Sequence, residues 1–133
     1  MKAGRRFALL SAVTAHALAR ADRAARCGPF NRAFYARVSI TAVGLDELVA
    51  QQGKPSPLSR ILLSEPAAED DLRWLLRVGL LRREVDGQGL TDRVRLTPLG
   101  REVVEAWPAG ETMPSADLPT RLRNRMRRLT AGV

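Results

Sequence analysis

From Asp71 to Trp107 the chain reads DLRWLLRVGLLRREVDGQGLTDRVRLTPLGREVVEAW, and this stretch restricts the fold more than any other. Leu72, Leu75 and Leu76 recur at helical spacing and predict a helix over roughly 66–78. Glu65, Glu69, Asp70 and Asp71 load its start with negative charge, where the helix dipole favours it, and Gly79 terminates it. Two arms of period two follow, LLRREV and RVRLT. Leu81 and Val85 are expected to alternate with Arg83, and Val94 and Leu96 with Arg93 and Arg95. Between the arms the loop DGQGLTD offers Asp86-Gly87 and Gly89 for the left-handed positions of a hairpin turn. Thr97 is placed to cap a further helix, with Pro98 at its first position and an end near Trp107, before Pro108. A helix, a basic hairpin and a closing helix are therefore written in order.

Upstream, residues 5–25 are Ala-rich, lack proline and predict a long helix. Leu9, Val13 and Ala17 share one face, with Leu10, Thr14 and Leu18 beside them, and Arg20, Arg23 and Arg26 suit its C-terminal end. CGPFN breaks the chain, and residues 30–38 predict a short helix anchored by Phe30, Phe34 and Tyr35. SITAVG reads as a β-bridge or a turn. LDELVAQQ (45–52) reads as helical, with Leu45, Leu48 and Val49 inward and Gly53 ending it. KPSPLS is a proline-rich connector, and residues 58–64 are expected to form one more helical turn. Downstream, Pro108, Gly110, Pro114 and Pro119 mark a linker. In the final RLRNRMRRL, Leu122, Met126 and Leu129 fall on one helical side and arginines cover the rest. The expected division is an N-terminal packing or dimerisation helix (1–28), a central domain (29–107), a linker (108–120) and a basic C-terminal helix (121–133).

Aromatic residues make up only 5% of the chain, so the core must rest on Leu, Val and Ala, which favours helices over a β-sandwich. The fold class expected is mainly α with a small β-hairpin. The net charge of +8 points to an anionic partner, although all but two of the 22 basic residues are arginine, so position matters more than the sum. Residues 1–37 hold eight basic and one acidic side chain, whereas 38–71 hold two basic and six acidic. The chain has basic ends and an acidic middle.

Cys27 is the only cysteine and His16 the only histidine, which rules out an internal disulfide and the usual four-ligand zinc site. Each reads as structural. Lys2, Arg5 and Arg6 before FALLSAVTAHALA have the outline of a secretion leader. Ser11, Thr14 and His16 interrupt the apolar run, and it continues directly into ARADRAARC, so a helix and a cytoplasmic location are expected instead. No stretch approaches the ~18 apolar residues of a membrane span. With no nucleophile–base pairing, phosphate-binding glycine loop or metal spacing in view, neither an enzyme nor a cofactor is expected.

The words "L..L...GLL.R", a glycine-containing loop and "RLTPLGREV" are similar to the second half of MarR- and PadR-like winged-helix regulators, over roughly residues 30–107. The whole chain also resembles a family of small cyanobacterial proteins. The resemblance implies a winged helix-turn-helix with extra N- and C-terminal helices, in which Gly79 turns the third helix into the wing, and Thr97, Pro98 and Gly100 begin the helix after it. A DNA-binding transcriptional regulator with double-stranded DNA as partner, and a homodimer, are then expected. Arg83, Arg93 and Arg95 would contact phosphates from the wing, with Arg82 at its base and Arg73 and Arg77 on the helix before it. Because that helix starts with four acids, PLSRILLS (57–64), with Ser59 and Arg60, is the other candidate reader. Arg121, Arg125 and Arg128 complete the candidate nucleic-acid contacts if the C-terminal helix serves as a phosphate clamp; otherwise its apolar side packs on the domain or on a second copy. A reading of a different class is a protein–protein module that docks on a larger assembly, such as RNA polymerase or a ribosome, through Glu69, Asp70 and Asp71.

Overall fold

The computed structural model describes residues 2–110, 113–116 and 118–131, and among these the side chains of 2–13, Leu118, Arg123, Thr130 and Ala131 lie outside the description. The expected inward face at Leu9, Leu10 and Val13 therefore lies outside the described residues. The described residues form five α-helices and one antiparallel hairpin, mainly α with a small β-element as the composition requires.

Helix α1 (Lys2–Cys27) runs slightly beyond the predicted span. Ala21, Ala24 and Ala25 are fully or almost fully buried, and these small side chains let α4 and α5 approach closely. Cys27-Gly28-Pro29 ends it. Asn31 then caps α2 (Arg32–Val38): its Oδ1 accepts from the Phe34 amide at 3.1 Å while its Nδ2 donates to the Pro57 carbonyl at 2.8 Å. Phe30, Phe34 and Tyr35 are wholly buried, as predicted. Phe30 and Phe34 meet tilted at 4.6 Å, Phe34 meets Tyr35 edge-on at 5.0 Å, and Tyr35 meets Trp107 edge-on at 5.4 Å.

SITAVG supplies the expected bridge. Val43 and Val94 exchange both backbone hydrogen bonds at 2.9 Å, which lays a one-residue third strand beside the hairpin. The helix expected over 45–52 shrinks to a single 3-10 turn, Leu45–Glu47, followed by the buried Leu48. The cause lies just downstream. Gln52 and Gly53 both take positive φ (54° and 74°) and reverse the chain between the bridged residues Gln51 and Lys54, which a continuing helix would forbid.

The helical turn expected over 58–64 is absent as well. Those residues instead form a turn at Leu58, a bridge from Ser59 to Phe30 and irregular chain beyond, with backbone groups taken by other segments: Leu58 O accepts from Asn31 N, Arg60 N donates to Pro29 O, and Leu63 O accepts from Ala50 N. With prolines at 55, 57 and 66 around them, few amides are left for a helix.

Helix α3 (Glu65–Arg77) is capped by Ser64, whose hydroxyl accepts from the Ala67 amide, and buries Ala68, Leu72 and Leu75. Gly79, at φ +83°, takes the left-handed conformation that closes the helix and turns the chain into β1 (Leu81–Asp86). Strand β2 (Gly89–Leu96) returns in the register Leu81↔Leu96, Arg82↔Arg95, Arg83↔Val94. The connection is shorter than DGQGLTD suggests, just Gly87 and Gln88, with the Gln88 amide held by the Asp86 carboxylate at 2.7 Å. A bulge between Arg83 and Val85 breaks the alternation. Arg83, two residues beyond Leu81 and before the bulge, shares the side of Leu81 by the strand period itself, opposite Val94, so it does not alternate with Leu81 as expected; Val85, beyond the bulge, is left exposed together with Leu90.

Thr97 caps α4 (Pro98–Glu105), accepting from the Gly100 amide at 2.9 Å, and Trp107 buries its indole just beyond the helix end. Buried residues from Ala21 to Trp107 form one cluster, so α1 shares the core of the central segment. Helix α5 (Leu118–Ala131) lies on α1 at the edge of this core.

Candidate nucleic-acid interface

The hairpin sorts its arginines by register. Leu81, Arg83, Val94 and Leu96 point to one side, and Arg82, Arg93 and Arg95 to the other. Arg83 is thereby removed from the predicted cationic surface: it is half-buried, and its Nη1 lies 3.5 Å from the Thr91 carbonyl. On the open side Arg95 pairs with Glu84 across the bulge, and Arg93 donates to the Ala42 carbonyl at 2.9 Å. Arg82 is exposed, and its guanidinium meets no carboxylate among the described residues. The hairpin therefore offers one uncommitted cation, Arg82, and two partly committed ones.

On α3, Asp70, Arg73 and Arg77 share the exposed edge. Arg73 pairs with Glu69 one turn back at 2.9 Å, an exposed contact worth only a few tenths of a kcal/mol, so its guanidinium can exchange partners at about that cost. Arg77 has no acidic partner among the described residues. The acids at the helix start are held from outside the helix. Arg128 of α5 reaches Asp70 at 2.8 Å and Asp71 at 3.0 Å, and it also lies 5.8 Å over the Trp74 ring. Asn124, buried on the same side of α5, accepts from the Trp74 indole N–H at 3.2 Å. The acidic triplet Glu69, Asp70 and Asp71, predicted as a docking surface, is thus neutralised within the chain.

Burial pushes the Asp71 carboxyl up from its ordinary value of 3.8, and the Arg128 contact only partly offsets this. The folded chain therefore holds this proton more tightly than the unfolded chain. Its contribution to stability is greatest in acid, falls as pH rises through the window above 3.8, and levels off once the folded carboxyl has ionised. The stability of Asp71→Asn relative to the native chain is accordingly expected to rise with pH across that window. Urea denaturation over a pH series measures it, and parallel curves would show that burial does not burden Asp71.

Ser59 and Arg60 do not form a reader. Ser59 is buried and donates from its hydroxyl to the Leu48 carbonyl at 3.0 Å. The Arg60 guanidinium donates to the Arg26 carbonyl at 3.1 Å and to that of Gly28, placing a cation on the carbonyl end of α1. Both are structural, and no exposed helix presents them. On α5, Arg121 and Arg125 are exposed without a carboxylate partner among the described residues, whereas Arg128 is spent on Asp70 and Asp71. An open groove of about 590 Å³ between α3 and α5 collects Arg73, Trp74, Arg77, Asn124 and Arg125. Asn124 and Trp74 carry no local sequence signal for this pairing, which joins positions 50 residues apart.

Burial raises the Cys27 thiol despite four nearby arginines, so it is held as the neutral thiol. Among the described residues no three His, Cys, Asp or Glu side chains cluster as metal ligands, and no helix is long and apolar enough to cross a membrane.

The chain belongs to the Npun_F0494-like family, whose model matches residues 11–128. Comparison with curated proteins and with solved structures gave no match.

Proposed function

We propose that this Npun_F0494-like protein is a winged-helix module that binds double-stranded DNA and acts in transcriptional regulation, with α3 as the groove-facing helix and β1–β2 as the wing. The observation that carries this reading is the distribution of uncommitted cations around Gly79. Arg77 ends the exposed edge of α3, Arg82 opens the outer face of the hairpin, and Arg125 faces α3 across the groove. The order α2, bridge at Val43, 3-10 turn, α3, hairpin supports it, since the Val43–Val94 pair stands where a winged helix has its short first strand. Of the four acids that would repel phosphate, Asp70 and Asp71 are held by Arg128 and Glu69 by Arg73, which lessens the cost of bringing α3 to a duplex. Arg77, Arg82 and Arg125 suit phosphates better than base edges, because α3 has no Asn or Gln and only two arginines with which to read a sequence. Binding should be dominated by backbone contacts and be strongly salt-dependent. The alternative reading, docking on a protein assembly through Glu69, Asp70 and Asp71, has less support, because those carboxylates already have partners.

Fluorescence anisotropy with a random-sequence duplex of about 30 base pairs across a salt series tests this. Arg77→Ala and Arg82→Ala are each expected to weaken binding by about tenfold at low salt and to reduce the slope of log K against log salt by about one. Arg83→Ala, whose side chain turns inward, is expected to leave the slope unchanged. Absence of any salt-sensitive binding by the native chain at low salt would overturn the reading.

A further inference from the structure

Helix α5 is amphipathic in the inverted sense. Its polar side, Asn124 and Arg128, faces the domain, and its apolar stripe is open to solvent: Leu122, Met126 and Leu129 are 53%, 68% and 67% exposed, Leu129 at the rim of the α3–α5 groove. A solitary exposed leucine is ordinary, but three large apolar side chains on one stripe of one helix are a surface built to be covered. Arg121 and Arg125, one turn apart, flank the stripe, Arg125 on the side towards α3 and Arg121 near Cys27 at the end of α1.

Elsewhere on the molecule lies a surface of opposite character. Between α1 and α4 an open groove is floored by Leu18, Val103, Ala106 and Trp107. Glu102 and Glu105 stand exposed in its lining, one turn apart on α4. Asp22 adds a third carboxylate, against which Arg26 is the only cation among the residues lining the groove. In a chain of net charge +8 this is a locally acidic, apolar trough. The stripe from Leu122 to Leu129 spans about 10 Å and α4 about 12 Å, at 1.5 Å per residue, so the two match in length.

We infer that the α1–α4 groove receives the apolar stripe of α5 from a second copy of this chain, with Arg121 and Arg125 of one copy set against Glu102 and Glu105 of the other. The same chain cannot supply it, because the contacts of Asn124 and Arg128 with α3 turn its own stripe outward. Direct pairing of two α5 helices is disfavoured, since it would bring their flanking arginines together. Reciprocal exchange closes the contact into a two-fold dimer containing the interface twice, whereas a one-way contact would propagate into filaments. This inference does not rest on DNA binding.

Sedimentation velocity on the full chain tests it. The native chain is expected to dimerise with a dissociation constant in about the micromolar range. Met126→Glu, and separately the double variants Glu102→Arg/Glu105→Arg and Arg121→Glu/Arg125→Glu, are each expected to weaken association about tenfold or more. Circular dichroism would establish that each variant is folded. Mixing the two double variants is the decisive measurement. Each alone sets like charges together, but a mixed pair restores both contacts, so dimers should reappear only in the mixture. A native chain that stays monomeric up to about 100 micromolar overturns the proposal. So does a Glu102→Arg/Glu105→Arg variant that dimerises as the native chain does, because that places the interface elsewhere. Native monomers that instead sediment with mixed phosphatidylcholine and phosphatidylglycerol vesicles would assign the stripe to a lipid surface, and would equally overturn it.

Discussion

Gly100→Ala is expected to destabilise the protein by about 3 kcal/mol or more, lowering the melting temperature by about 10 °C. At an exposed helical site the same change would stabilise by up to about 1 kcal/mol through helix propensity, so the sign of the result is diagnostic. The difference arises from how α4 begins. The Thr97 hydroxyl and amide both donate to the Leu80 carbonyl, at 3.0 and 3.1 Å, which pins the helix start directly against the chain entering β1. A Cβ at Gly100 would collide with that same Leu80 carbonyl oxygen and stand 2.7 Å from Leu96 Cδ1. The leucine could shift, but the backbone carbonyl could not without giving up the cap. Thermal denaturation followed by circular dichroism checks this, and an unchanged or raised melting temperature would show that α4 can lift off the strand without cost.

That glycine also shows what local sequence conveys. The words around Gly79 and Thr97-Pro98 were legible because each has a local cause, a left-handed helix end and a hydroxyl cap, whereas the demand for glycine at position 100 comes from the Leu80 carbonyl, 20 positions back. Ser64 and the spacing of Leu72 and Leu75 placed α3 for the same reason. Where a reading failed, something outside its own pattern overrode it. LDELVAQQ has a helical pattern, yet the reversal at Gln52-Gly53 cuts it short, and PLSRILLS forms no helix because residues 29–31 and Ala50 claim its backbone. Periodicity found the Leu122–Met126–Leu129 stripe but carries no information on which side of a helix faces the protein. Here Arg128 pairs with Asp71, 57 positions away, and turns the stripe outward. The candidate interface changed accordingly. Arg73, Arg77, Arg82 and Arg125 remain on open surface, whereas Ser59, Arg60, Arg83 and Arg128 have structural partners.

Trp107→Ala is expected to cost about 3–5 kcal/mol, a large fraction of the stability of a domain this size. Trp107, just beyond α4, joins three elements that are far apart in sequence. Its indole is buried, its ring meets Tyr35 of α2 edge-on at 5.4 Å, and Arg32 lies 5.8 Å from the ring centroid. Its N–H donates to Asp22 of α1 at 2.7 Å. Truncation would open a cavity between α1, α2 and α4 and also leave the Asp22 carboxylate with Arg26, at 3.4 Å, as its remaining partner. Trp107→Phe separates the two effects. It keeps most of the packing and the edge-on contact but removes the hydrogen bond, so a loss of about 1–2 kcal/mol is expected, since the acceptor is charged. Urea denaturation of both variants measures the difference. Equal losses would place the stabilisation in the Asp22 hydrogen bond, and α1 would then be tied to the core by a polar contact more than by burial of the indole.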